Sequence, residues 1–383
     1  MKFNKWTLGL AAVGAVSLTS AVRADEAKIT PLQTALSNTT ISGYVDTAAQ
    51  YNLGNQGTEV QVPAGTAGSK VDSFSLNTLD IAIDKPEDST PWASGYHFDL
   101  NYGTDAVNAT GSGTDAFGVR QAYVVVRTPV GNGIDWKFGV QDDIIGYEGN
   151  TDSANPNYTR SVGYSLEPTT LTGLIGTYQV CSAITVQGGI ANETFVNGYV
   201  TPGTTASVSD KTLAAAVALT APDSWGWLKG GTLNAGTLLN LEKGGQNNFY
   251  AGLTIPTPWS ILKVGSSLDV VSIANSLATN HKSDSGEVLG VYGNIQATDK
   301  LAFNLRGEVY NLKGDVNPYT VGHPDGAGEE LTATVAYNLW ANVTSRAEIR
   351  WDHSDAGDSF GGGAPSTPTV NSYILAINLI YTF

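Results

Sequence analysis

The chain closes on Ser372-Tyr-Ile-Leu-Ala-Ile-Asn-Leu-Ile-Tyr-Thr-Phe383. Counting back by twos from Phe383 gives Tyr381, Leu379, Ile377, Leu375 and Tyr373, all apolar or aromatic. Successive side chains of a strand point to opposite faces, so this register makes one apolar face with aromatics at both ends. The other face carries Thr382, Asn378, Ala376 and Ser372, interrupted by Ile380 and Ile374. The strand therefore separates an apolar environment from a mostly polar one. An edge strand of a soluble sheet does the same, so the rest of the chain has to distinguish the two.

The opposite terminus begins that work. Lys2 and Lys5 precede an uncharged run from Trp6 to Val22, and Val22-Arg23-Ala24 follows. A basic start, a short apolar core and small residues before a cut are the parts of a secretory signal peptide, too short to cross a bilayer as a helix. We assign 1–24 to a signal peptide, 25–38 to a polar periplasmic lead-in and 39–383 to one domain. No later apolar run is long enough for a spanning helix, so the exported chain is either a water-soluble β protein or a barrel. Charged residues are only 14% of the chain, against roughly a quarter in soluble domains. A closed barrel accommodates this, with lipid outside and a wet lumen inside. The net charge of −15 becomes −18 once Lys2, Lys5 and Arg23 are removed, which argues against nucleic acid as a partner. The single cysteine, Cys181, cannot form an internal disulfide and is expected to be inert in a turn.

Alternating stretches recur through the mature chain at 40–51, 74–84, 95–102, 117–128, 134–143, 171–180, 183–194, 213–220, 232–241, 249–255, 261–273, 287–297, 301–311, 331–339 and 343–353. With the closing stretch these make about sixteen strands, each near the roughly 9–11 residues that a tilted membrane strand needs. The inward face of 117–128 stays open, because Arg120 and Gln121 fall on opposite sides. The connections sort by length. Tight turns at 129–133, 181–182, 257–260, 298–300 and 340–342 alternate with long segments such as 103–116, 145–170, 312–330 and 354–371. Outer-membrane barrels alternate short periplasmic turns with long outer loops in this way, and a soluble sandwich has no reason to. Trp92, Trp225, Trp227, Trp259 and Trp340 all lie in connections on the short-turn side, and Trp136 opens a strand beside one. They are expected to form a periplasmic aromatic girdle. The expected fold is an all-β, transmembrane antiparallel barrel of about sixteen strands.

A more specific resemblance runs from Phe117 to Tyr178. Gln121-Ala-Tyr-Val124, Gly139, Gly146-Tyr147-Glu148, Asn155-Pro-Asn157, Thr159-Arg160-Ser161, Pro168 and Thr172-Gly173 together resemble the OmpL-like β-barrel porin family. Where such relatives often have Gly-Lys-Phe this chain has Gly139-Val140-Gln141, which removes a lumenal lysine at that point. The resemblance implies an outer-membrane porin of a Gram-negative-type envelope without naming a solute. The closing stretch likewise resembles the last strand of outer-membrane barrels, in which the terminal Phe and the alternation before it, here Phe383 and Tyr381, are read by the barrel-assembly machinery. Sixteen-stranded porins as a group imply a homotrimer.

The longest connection suits an inward-folding loop. Glu148, Asp152 and Arg160 in 146–167 can pin it to a charged wall as a constriction, or the segment can stay at the surface and shield the mouth. Predicted lumen-facing charges are Lys137, Arg306, Glu308, Arg346, Glu348, Arg350 and Asp352. Arg306, Arg346 and Arg350 would make a basic arc across a wet pore, or would pair with neighbouring acids. No catalytic constellation appears. His97, His281, His323 and His353 have no metal-ligand spacing, and no nucleophile elbow or phosphate loop is present. Asp142-Asp143 could bind Ca2+ at a loop, yet such pairs are more often solvated rim charges. The expectation is a passive outer-membrane channel for small hydrophilic solutes and ions, without cofactor or metal, in contact with membrane lipid. The alternative is a surface-display barrel with a plugged lumen, whose long loops bind an extracellular partner or polysaccharide.

Overall fold

Sixteen strands close on themselves in simple up-and-down order, each pairing antiparallel with its sequence neighbours and the first with the last. The structure is a computed structural model and describes residues 38–53, 70, 72–106, 117–192, 210–241, 245–274, 283–313, 326–355 and 370–383. The signal peptide and nearly all of the lead-in expected at 1–38, together with His281 and His323, lie outside the described residues.

The strands are β1 (Thr40–Asn52), β2 (Ser73–Lys85), β3 (Ser94–Tyr102), β4 (Gly118–Thr128), β5 (Ile134–Asp142), β6 (Thr170–Cys181), β7 (Ile184–Asn192) and β8 (Lys211–Thr220), followed by β9 (Thr232–Asn240), β10 (Gln246–Pro256), β11 (Leu262–Ala274), β12 (Ser283–Gln296), β13 (Leu301–Lys313), β14 (Gly326–Trp340), β15 (Val343–Ser354) and β16 (Asn371–Thr382). Each coincides with one alternating stretch of the sequence, within a few residues. Cys181 ends β6, beside the turn expected for it, and is exposed.

The period of two has the physical consequence expected of it. On β13, Phe303, Leu305 and Val309 are exposed on the outer face, while Asn304, Arg306 and Glu308 are buried on the inner one. On β16, Leu375, Ile377 and Leu379 face out. With no water in a bilayer core, backbone groups must pair within the protein, and closure removes the sheet edge that would leave them unpaired. The seam is made by β1 and β16, with Val45 opposite Tyr381 and Asn52 opposite Ile374. It extends to the terminal residue: Phe383 N–H donates to the Gly43 carbonyl at 3.0 Å, and Gly43 N–H donates to the Phe383 carbonyl at 3.1 Å.

One ambiguity of the sequence is settled by a bulge. Between β3 and β4, Asp99 opposes Gln121 and Leu100 opposes Val119, so Arg120 has no partner in the ladder. The extra residue lets two consecutive side chains turn the same way. Arg120 and Gln121 are both buried on the inner side.

Candidate functional site: a loop docked on the inner wall

The connection between β5 and β6 turns inward rather than arching over the mouth. Gly146 (φ +112°) takes a backbone conformation that L side chains rarely adopt, and a Cβ there would stand 2.3 Å from the Glu167 carboxylate at the loop's far end. The two ends of the loop therefore approach each other closely. From there the chain runs through a short 3-10 turn (Asp152–Ala154) to a one-turn helix, α1 (Val162–Ser165), whose N-cap Ser161 accepts from Tyr164 N–H at 2.9 Å.

The inner wall grips this segment through its backbone. Arg306 donates to Glu148 Oε1 and to the Thr159 carbonyl, each at 2.8 Å. Arg346 Nη1 donates to the carbonyls of Asn155 and Asn157, both at 2.8 Å, and of Asp152 at 3.2 Å. Arg350 donates to the Arg160 carbonyl at 2.6 Å and pairs with Asp352 at 2.7 Å. The acids take the N–H groups. Glu348 accepts from Tyr158 N–H at 2.6 Å and Thr159 N–H at 2.9 Å, and Glu308 from Val162 N–H at 2.6 Å and Gly163 N–H at 3.0 Å. A loop has no ladder of its own, so its buried backbone groups need partners, and charged side chains are the strongest available. Arg160 is bridged to Asp152 within the loop at 2.6 Å. The residues expected as wall and loop charges, Arg306, Glu308, Arg346, Glu348, Arg350, Asp352, Glu148, Asp152 and Arg160, thus meet in one buried network. Lys137 stands apart on β5, its ammonium 4.6 Å from the centroid of the Tyr123 ring.

Apolar contacts complete the dock. Tyr158, Val162 and Leu166 pack with inward-facing Val271, Val288, Tyr310, Leu312 and Ile374. Ile145 packs with Leu171, Ile175, Leu238 and Tyr250. Ile374, an interruption in the polar face of the closing strand, is a seat for the loop. That interruption is the signal in the sequence that could have revealed these residues. Burial pushes the Glu167 carboxyl well above the ordinary glutamate range, and the nearby charges of Asp269 and Asp143 push it the same way.

Three residues outside the sequence expectation also join the site. Arg120 bridges Asp142 at 2.8 Å and donates to Thr151 Oγ1 at 3.0 Å. Lys70, from the segment after β1, pairs with Asp105 and lies 3.4 Å from Tyr158 Oη. Glu330 accepts from Arg306 Nη2 at 3.1 Å. Among the described residues no group of three or more His, Cys, Asp and Glu is arranged to hold a metal, Asp142 and Asp143 included.

At the opposite end of the barrel, where the short turns and both strand termini lie, Trp92, Trp225, Trp227, Trp259 and Trp340 are exposed. Trp136 is half-buried, its indole N–H donating to Thr128 Oγ1 at 3.0 Å. Tyr381 and Phe383 stack on the outer face with centroids 6.4 Å apart.

Solved structures with this fold include OprB of Pseudomonas putida (12% identity, 92% of this chain and 96% of that one, TM-score 0.59), an anion-selective porin from Comamonas acidovorans (12%, 90% and 99%, 0.58) and the trimer form of OmpT from Vibrio cholerae (13%, 90% and 99%, 0.58). No curated protein matches the sequence. The profile of the family described as "Putative beta-barrel porin-2, OmpL-like" matches residues 38–383, so this outer-membrane β-barrel is a member of that porin family.

Proposed function

We propose that this protein is a passive channel through the outer membrane, letting small hydrophilic solutes and ions diffuse past the docked loop without catalysis. The observation that carries the reading is the loop itself, inside a closed sixteen-strand cylinder and tied to one side of the wall by Arg306, Arg346, Arg350, Glu308 and Glu348. The segment is held chiefly on β13 and β15, with further contacts to Tyr44 on β1 and Arg120 on β4, and so narrows the lumen. On the inner wall of β2 to β5, His97, Tyr123 and Lys137 are half-buried, while Asp80, Asp99 and Arg120 are buried. In this reading 146–167 is the constriction, the charged wall residues are its anchors, and the exposed tryptophans form the girdle at the periplasmic boundary. The signal peptide delivers the chain, and Tyr381 and Phe383 present it to the assembly machinery. In this reading the chain assembles as a homotrimer, which the trimer form of OmpT supports.

Planar-bilayer recording of purified, heat-modifiable protein tests the proposal. Discrete conductance steps are expected. A correctly folded barrel that stays silent would refute it in favour of a plugged display protein.

A further inference from the structure

We propose that the channel prefers cations, and that Asp84 and Asp142 on the inner wall of β2 to β5 impose the preference; this rests on the channel reading above. The bases of the lumen are withdrawn from passing ions. The side chains of Arg306 and Arg350 are 0% exposed, those of Arg160 and Arg346 3%, and that of Arg120 5%. Each is turned onto acids or onto loop carbonyls. Arg306 lies against Glu148 at 2.8 Å, Glu330 at 3.1 Å and Glu308 at 3.8 Å, so this buried arginine is outnumbered by its carboxylates.

The acids reach water unequally. Asp142 clasps Arg120 yet keeps 34% of its side chain exposed, and Asp84, 3.0 Å from His97 Nδ1, keeps 38%. Arg120 also meets Asp99 at 3.4 Å and Asp80 at 3.6 Å, so its single positive charge is shared among three carboxylates. Ions in transit respond to the charge that wet space touches, and rings of carboxylate favour cations. Three bases oppose this. His97 lies between Asp84 at 3.0 Å and Asp99 at 3.9 Å, one base against two carboxylates. Lys137 stands on the same wall over Tyr123, and Lys263 is exposed at the short-turn end of β11. Arg127 and Asp135, bridged at 2.7 Å, cancel each other near that mouth.

The test is the zero-current potential of the reconstituted protein across a KCl gradient. The wild type is expected to favour K+. A unit charge at about 6 Å in water changes the local concentration of a passing ion roughly threefold, in opposite senses for K+ and Cl−, so Asp84→Asn is expected to lower the K+/Cl− permeability ratio by about tenfold at most, and Lys137→Gln to raise it. Asp142→Asn should act like Asp84→Asn, but it also frees Arg120 beside the loop. Asp84 makes no loop contact, so its variant decides. A conducting wild type that prefers Cl−, or an Asp84→Asn variant with an unchanged ratio, overturns the assignment while leaving the channel intact. A folded protein without conductance overturns the channel reading itself.

Discussion

Replacing Arg306 with alanine is the sharpest probe of how the loop is held. The guanidinium is fully buried and donates to Glu148, Thr159, Glu330 and Thr332 at 2.8 to 3.2 Å. Truncation leaves Glu148, Glu308 and Glu330 close together, with Arg350, 3.8 Å from Glu330, as the remaining cation beside them. Removing one partner of a buried ion pair costs about 3–5 kcal/mol. At the lower end that is a shift of roughly a hundredfold between docked and undocked loop, at about 1.4 kcal/mol per tenfold. The barrel itself should survive, because its ladder does not depend on this side chain. Single-channel recording is expected to show larger and noisier steps than the wild type, and limited proteolysis should cut between 148 and 163. Adding Glu148→Gln removes one stranded carboxylate and should restore part of the wild-type trace. If Arg306→Ala, folded by gel mobility, conducts with unchanged step size and noise, the wall arginine does not hold the loop.

Two further outcomes follow, one from the docked loop and one from the barrel seam. Glu167 has its carboxyl raised above the ordinary value of 4.5 by burial and by Asp269, so its docked form favours the proton. The docking contribution is therefore complete below the ordinary glutamate value and is lost as pH rises through the raised one. Open-channel noise should grow with pH, and Glu167→Gln should flatten that dependence; a variant retaining the wild-type profile would exclude this carboxyl. Phe383→Ala keeps both backbone bonds to Gly43 but removes an exposed ring, so assembly in cells should fall while refolding into detergent stays normal. Equal membrane levels of variant and wild type would show that the ring is not an assembly signal.

The wall and the loop were legible to different degrees. Sixteen strands could be read because a period of two is a local property, and each membrane strand must obey it on its own. Arg120 could not be placed, since a bulge is decided by the register of two strands and not by either sequence alone. Alternation puts the charges at Arg306, Glu308, Arg346, Glu348 and Arg350 on one face of their strands, but it does not decide whether they face water or one another. Their partners in the loop lie between 145 and 194 positions away in sequence.

The amino-acid order by itself determined that this chain alternates between lipid and water around a closed wall, because each side chain's face follows from its neighbours two positions away. Only the tertiary structure decided what fills the wall. Ring closure brings β13 to β16 against the segment after β5, and buried carbonyls and N–H groups without a ladder then take the nearest charges as partners. The arginines that sequence alone presents as a basic arc are thereby turned onto the loop, and carboxylates such as Asp84 and Asp142 keep contact with the lumen.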